Sequence, residues 1–120
     1  MRRVVCIWLP TFATDLVRRR MQCDRGWRSP EEPGQKDNTR PRTAIVLTRA
    51  VAARELVERC CALARSAGIT PGMDLAHARS LLPANVTLHT EPHRPDRDSE
   101  ALQALACWAL RITPLSAPED

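Results

Sequence analysis

The cysteines and histidines of this 120-residue chain are the residues whose side chains could bind a metal or carry redox chemistry. The five cysteines form no C-x-x-C pair and their number is odd, so neither a zinc ribbon nor a disulfide framework is indicated. The three histidines lack metal-ligand spacing with one another and with the cysteines. The vicinal pair Cys60-Cys61 suggests a redox site, and the competing interpretation is two small buried side chains at a helix start.

Arginine is the residue type that carries most of the remaining chemistry. Residues 18–42 hold eight Lys or Arg against four Asp or Glu, and the chain has a formal net charge of +4. Guanidinium groups bind phosphate oxygens, so this segment could follow a DNA backbone. A solvated polar loop explains the same charges equally well. The basic side chains are those of Arg18, Arg19, Arg20, Arg25, Arg28, Lys36, Arg40 and Arg42.

Two apolar runs and a polar segment between them organise the first half of the chain. Residues 3–9 are rich in β-branched and aromatic side chains and predict a buried strand, which ends at Pro10. Thr11 is placed to cap a helix that carries the three consecutive arginines in its last turn. Residues 21–42 predict a long polar loop, and residues 43–48 predict a second strand.

Short helices separated by turn residues dominate the second half. A weaker strand or helix start is expected near residues 55–57, followed by a helix over residues 60–66 that closes at Gly68. Asp74 caps a helix over residues 75–82, and a short strand follows at 86–89. These elements predict an α+β fold with a longer amphipathic helix before Pro114. The apolar face of that helix comprises Ala101, Leu102, Leu105, Trp108, Ala109 and Ile112.

The stretch from Cys60 to Pro83 has the most specific order of residues in the chain. It reads Ala-Arg-x-x-Gly-Ile at residues 64–69, Pro-Gly-Met at 71–73, and then a helix that ends in Leu-Leu-Pro. This order resembles the fingers region of Y-family translesion DNA polymerases (the UmuC and DinB type). The opening, which ends in Trp8-Leu9-Pro10, and residues 108–115 are similar to the ImuB branch, the polymerase-like subunit of a bacterial mutagenesis complex.

The resemblance implies metal-binding positions from which this chain departs. Active members of the family hold two Mg²⁺ ions with carboxylates, because hard cations that bridge phosphate oxygens need anionic oxygen ligands. The first-strand positions fall at Leu9 and Thr11, which cannot replace carboxylates. The second acidic pair is expected just past Asp120, so the chain is expected to be truncated before it. We therefore expect no catalysis, no metal and no cofactor.

The nucleotide contacts that the resemblance implies are incomplete as well. The fingers helix of active members offers a tyrosine and, three residues later, an arginine to the triphosphate. Arg65 matches the arginine and can bind phosphate through two donors, whereas Ala62 replaces the tyrosine. A solvent-exposed helix arginine is the competing interpretation of Arg65.

The leading functional hypothesis is a non-catalytic adaptor of DNA repair and damage-induced mutagenesis, or a fragment of one. The alternatives are the N-terminal part of an active, Mg²⁺-dependent translesion polymerase and a small thiol-based regulator that uses Cys60-Cys61. The resemblance implies DNA, an error-prone replicative-type polymerase, a RecA-like companion subunit and the sliding clamp as partners. The segments that bind the protein partners are expected to be missing. DNA-backbone contacts are expected from Arg18, Arg19, Arg20, Arg40 and Arg42.

A single region is expected, in four parts. These are a palm strand and helix (1–20), the polar loop (21–42), a fingers-like part (43–90) and a palm helix with the C-terminal end (91–120). A palm sheet without its later strands leaves the first strand with an unpaired edge, so the isolated chain is expected to be marginally stable or prone to associate. No apolar run has the roughly 18 residues of a membrane span. The first apolar run is too short for a signal peptide, so a cytoplasmic protein is expected.

Overall fold

A computed structural model describes residues 3–24 and 42–119, and most of the predicted polar loop, including Arg25, Arg28, Lys36 and Arg40, lies outside the described residues. The described part holds a three-stranded sheet and four helices, which confirms the α+β fold class. The elements in chain order are α1 (Phe12–Asp24), β1 (Arg42–Val51), β2 (Arg54–Cys60), α2 (Ala62–Ser66), α3 (Leu75–Leu81), β3 (Val86–Pro92) and α4 (Pro95–Ala109).

The sheet has the strand order β2-β1-β3, with β1 at its centre. Strands β1 and β2 form an antiparallel hairpin, and Ala52 in its turn has a φ of 54°. Strands β1 and β3 run parallel, from the pair Arg42 and Val86 to the pair Thr48 and Pro92. Parallel strands cannot be joined by a tight turn, and the connection from the hairpin to β3 runs through α2 and α3.

The hydrophobic core surrounds the central strand. Residues 44–48 of β1 are all buried, and successive side chains of a strand point to opposite faces, so both faces of β1 are covered. Val57 of β2 and Ile69 after α2 complete this core and are fully buried. A continuous run of buried β-branched and aliphatic residues therefore marks the middle of the fold, as the sequence predicts for residues 43–48.

Three local features hold the two short helices beside the sheet. The Cys61 Sγ caps α2 and accepts a hydrogen bond from the Ala64 N–H at 3.5 Å. Gly68 closes this helix with a φ of 97°, a left-handed conformation that glycine adopts without strain. The Asp74 Oδ1 caps α3 and accepts from the Ala76 N–H at 3.0 Å. The predicted helix closure at Gly68 and the predicted cap at Asp74 are confirmed.

The prediction of a buried first strand is wrong. Residues 3–9 have no regular secondary structure, and all of them are exposed. A strand needs a neighbour to satisfy its backbone groups, and both edges of the central strand are already taken by β2 and β3. No strand of the described residues pairs with residues 3–9. Apolar composition alone is therefore not enough to make this segment a strand.

Two helices differ from their predicted form. Helix α1 runs one turn further, to Asp24, so the three arginines lie in its middle rather than in its last turn. Thr11 does not cap it through an accepting hydroxyl; the hydroxyl donates to the Asp15 carboxylate at 2.8 Å. Helix α4 begins at Pro95 and none of its residues is buried, although Leu105 and Trp108 lie on its apolar face. The apolar face predicted for this helix is present but largely uncovered.

Candidate functional site

Three residues singled out from separate parts of the sequence line one cavity. Leu9, Thr11 and Arg65 lie around an open cavity of about 390 Å³ between the start of α1, the end of β2 and α2. Arg59 lines the same cavity and adds a second guanidinium. The two positions at which the resemblance implies carboxylates and the predicted phosphate contact thus line the same cavity.

The entry into α1 forms one wall of this cavity. Pro10 ends the extended segment, and the Phe12 N–H donates to the Leu9 carbonyl at 3.3 Å. The buried Thr14 hydroxyl donates to the Thr11 carbonyl at 3.0 Å and fixes the turn from inside. The first turn of the 13-residue helix therefore faces the cavity, where the amide groups of a helix N-terminus carry partial positive charge.

The two arginines of the cavity come from different elements. Arg65 lies in the last turn of α2, and the Cys61 that caps this helix also accepts from the Ile45 N–H at 3.3 Å, which ties α2 to the central strand. Arg59 precedes the last residue of β2 and is exposed. Sequence reasoning missed Arg59. The feature of the sequence that could have identified it is a basic residue in a half-buried strand, six residues before the arginine of the motif.

The cavity contains two cations and a single carboxylate. That carboxylate belongs to Asp98 of α4, and it accepts from the His93 ring at 2.8 Å if the facing nitrogen is protonated. Within residues 3–24 and 42–119, no group of three or more His, Cys, Asp or Glu side chains is arranged to hold a metal ion. Two guanidinium groups beside one carboxylate are suited to the binding of an anion.

A second open cavity, of about 540 Å³, lies on the other side of Thr11. It brings together Arg18 of α1 and Arg42 at the start of β1, and Asp15 and Ala62 also line it. The Arg18 Nη2 donates to the Thr43 carbonyl at 3.4 Å, which ties α1 to β1. Two of the predicted DNA-backbone arginines therefore lie together beside the first cavity.

Arg19 and Arg20 do not join this pair. Consecutive residues of a helix are rotated by about 100° around its axis, so the three arginines of α1 cannot share one direction. Arg19 is exposed, whereas Arg20 binds the Glu91 carboxylate of β3 and lines a cavity between α1 and α4. Arg40 lies outside the described residues. Of the arginines predicted to contact a DNA backbone, Arg18 and Arg42 line one cavity in the described part of the chain.

The ion pair between Arg20 and Glu91 shifts the pKa of both side chains. Burial raises the pKa of Glu91, but hydrogen bonds from Arg20 and His89 outweigh it and hold the pKa below its usual range. The same hydrogen bond and charge raise the pKa of Arg20. The His89 ring lies 2.9 Å from the Glu91 Oε1. These contacts join α1 to β3, so they stabilise the packing of the helix against the sheet.

The vicinal thiols are buried and hydrogen-bonded. The Cys60 thiol donates to the Ile69 carbonyl at 3.6 Å, and the Cys61 sulfur accepts two backbone N–H groups. Redox-sensing cysteines are accessible thiolates, whereas buried cysteines are inert. The contacts of this pair therefore support a role in holding α2 against the sheet. The exposed cysteines are Cys6, Cys23 and Cys107.

Neither protein-family models nor curated proteins match this chain. No helix of the described residues is both long and apolar enough to cross a membrane.

Proposed function

We propose that this chain is a non-catalytic, polymerase-like DNA-binding adaptor of the ImuB type, with the cavity beside α1 as a phosphate-binding site. The observation that carries the proposal is the convergence of Leu9, Thr11 and Arg65 on one cavity. In an active polymerase of the resembled family, carboxylates at the first two positions would hold Mg²⁺. An apolar and a hydroxyl side chain there leave a site that can bind phosphate without activating it.

The charges of the cavity support an anionic ligand. Arg59 and Arg65 converge from β2 and α2, and the first turn of α1 adds partial positive charge. The carboxylate of Asp98 already has a partner in the His93 ring, which reduces its repulsion of a bound phosphate. Arg18 and Arg42 in the adjoining cavity extend the positive surface. Phosphate groups spaced along a DNA backbone match such a series of separated cations.

The partners of this function follow from the resemblance. DNA is the ligand of the cavity. An error-prone replicative-type polymerase, a RecA-like companion subunit and the sliding clamp are the protein partners that the resemblance implies, through segments that we expect to lie outside this chain. An adaptor that works on bacterial DNA belongs in the cytoplasm.

Binding of a fluorescent primer–template DNA, followed by anisotropy over a range of salt concentrations, tests the proposal. Affinity should fall steeply with salt, because each neutralised phosphate releases counterions. Arg59→Ala and Arg65→Ala should each weaken binding by about fivefold and reduce the salt slope by about 1. Arg79→Ala is the matched control, since Arg79 is an exposed helix arginine in α3 that lines neither cavity. Equal losses from all three variants, or salt-insensitive binding, would contradict the proposed cavity.

Primer extension with Mg²⁺ separates the adaptor from the enzyme alternative. We expect no extension by the wild-type chain at any Mg²⁺ concentration, because Leu9 and Thr11 cannot bind the ion. Template-dependent extension that is lost on adding EDTA would show that the chain is an active polymerase and overturn the non-catalytic proposal.

A further inference from the structure

The N-terminal segment has the composition of a strand and lacks the partner of one. Val4, Val5, Ile7 and Trp8 are 90, 82, 77 and 84% exposed. Apolar residues occur at successive positions of the segment, as in strands that are covered on both faces. Residues 3–9 are extended chain in the structure and form no ladder with any described strand.

The sheet has one covered edge and one open edge. At the outer edge of β2, the Val57 N–H donates to the Met73 carbonyl at 2.8 Å, and the Val57 carbonyl accepts from the Gly72 N–H at 2.7 Å. The loop between α2 and α3 therefore occupies that edge. The outer edge of β3 is paired with no other strand of the described residues.

The hydrogen-bond pattern identifies the backbone groups that β3 turns outward. The His93 N–H donates to the Thr48 carbonyl at 2.8 Å, which directs that residue toward β1. Alternate residues of a strand direct their backbone groups to opposite sides. The backbone N–H and C=O groups of His89 and Glu91 therefore point toward β1. The backbone N–H groups of Leu88 and Thr90 point the other way, out of the sheet edge. An added strand would find two donors in the middle of this edge that pair with no backbone carbonyl of the described residues.

In its own chain, the segment leaves the fold on the other side of the sheet from this edge. Residues 3–9 lead directly into α1, and the start of α1 lies beside Cys60 and Arg65, at the β2 side of the sheet. Strand β1 separates that side from β3. A second copy removes this obstacle, because each chain holds both a strand-like segment and an open edge.

We propose that two copies of this chain associate by strand exchange, in which residues 4–9 of each copy add to the outer edge of β3 of the other. A two-fold axis makes both contacts identical and closes the assembly at a dimer. Two docked segments would bury on the order of 1,200 Å² in total, the lower end of the range for specific interfaces. The docked segment includes Trp8 and Leu9, which also line the cavity that we propose for phosphate, but the tests of docking do not depend on phosphate binding.

Sedimentation velocity over a range of protein concentrations tests the association. The wild-type chain should form dimers at concentrations above about 10 µM, as expected for a small interface. Ile7→Lys places a charge in the docked segment, and Thr90→Pro removes an outward N–H of β3 without removing a bond to β1. Both variants should be monomeric over the same range. Val51→Lys is the matched control, since Val51 is an exposed apolar residue in neither docking surface, and it should dimerise like the wild type.

Two outcomes of this experiment would overturn the proposal. One is a monomeric wild-type chain at every concentration. The other is a dimer that persists in Ile7→Lys, which would show that a different surface associates. Because Ile7 is exposed, this variant keeps its fold, and circular dichroism checks the same for Thr90→Pro.

Chemical cross-linking locates the contact. Replacing Cys23 and Cys107 with serine leaves Cys6 as the exposed cysteine of the chain, and Cys6 lies within the docked segment. Adding Thr87→Cys on β3 should give covalent dimers with a short bismaleimide. Val51→Cys in the same background should give few, because it lies at the hairpin turn. Equal dimer yields from the two variants would contradict docking at β3.

Discussion

Two stretches of this molecule have similar composition and opposite environments. Residues 44–47 of β1 and residues 4–7 at the N-terminus are both runs of aliphatic and other small apolar side chains. The first run is buried on both faces, with Ile45 0% exposed, whereas Ile7 in the second run is 77% exposed. The first has a strand on each side, and the second has none among the described residues. Apolar composition makes a strand possible, but neighbouring strands make it stable.

The largest expected effect compares the same substitution in the two runs. Ile45→Ala should lower the free energy of unfolding by about 3 kcal/mol, because it leaves a cavity in the closed core. Ile7→Ala should change it by less than about 0.5 kcal/mol in dilute, monomeric protein. Urea unfolding followed by circular dichroism measures both. Similar losses from the two variants would mean that residues 4–9 are packed in solution and would break the comparison.

A smaller effect is expected at the helices that cover the sheet. Asp74→Ala removes both the cap of α3 and the ion pair with Arg54, whose Nη2 lies 3.1 Å from the Asp74 Oδ2. The backbone N–H of Ala76 and the Arg54 side chain lower the pKa of Asp74, which shows that the folded state favours its charged form. The variant should lower the Tm by about 5 °C.

Asp96→Ala is the control for this cap. Asp96 also lies at a helix start and pairs with an arginine, Arg94, but it belongs to α4, which has no buried residue. Its loss should leave the Tm unchanged within error in a thermal melt. A Tm fall as large as that of Asp74→Ala would show that α4 contributes as much to stability as the helices on the sheet.

The smallest expected effect concerns the link between α1 and β3. Glu91→Gln should lower the free energy of unfolding by about 0.5 kcal/mol at pH 7, the usual size for a partly exposed ion pair. Since the folded state lowers the pKa of Glu91 from 4.5, its stabilising effect is present above pH 4.5 and is lost as the pH falls through the lowered folded value. The unfolding free energies of the two proteins should therefore converge as the pH falls below 4.5. A difference that stays constant over this range would assign the loss to packing rather than charge.

Much of the sheet unit is predictable from short stretches of sequence. The strand over residues 43–48, the glycine that closes α2 and the aspartate that caps α3 each depend on residues a few positions apart. The weaker strand near residues 55–57 is present as β2, because it pairs with the adjacent β1. Local hydrogen bonds and turn conformations determine these features, so the sequence signals for them are reliable.

The predictions that failed depended on distant parts of the chain. Residues 3–9 and α4 have the apolar patterns of buried elements, but burial requires a second surface, and no pattern within an element states whether that surface is present. The candidate cavity also depends on distant parts of the chain, because it is lined by residues from several elements. The resemblance singled out Leu9, Thr11 and Arg65 as candidate site residues. It did not single out Arg59, whose place in the cavity depends on how β2 packs beside α1.

The sequence by itself determined the α+β class and the residues that form the central hairpin. Those properties follow from residue types and from interactions over a few positions. The tertiary structure alone decided that Arg59 and Arg65 share a cavity with residues about 50 positions away, and that Arg20 binds Glu91 rather than extending a basic strip. It also decided that the first apolar run stays uncovered. These outcomes depend on which surfaces meet when the chain packs, since contact and burial are properties of pairs of elements rather than of one segment.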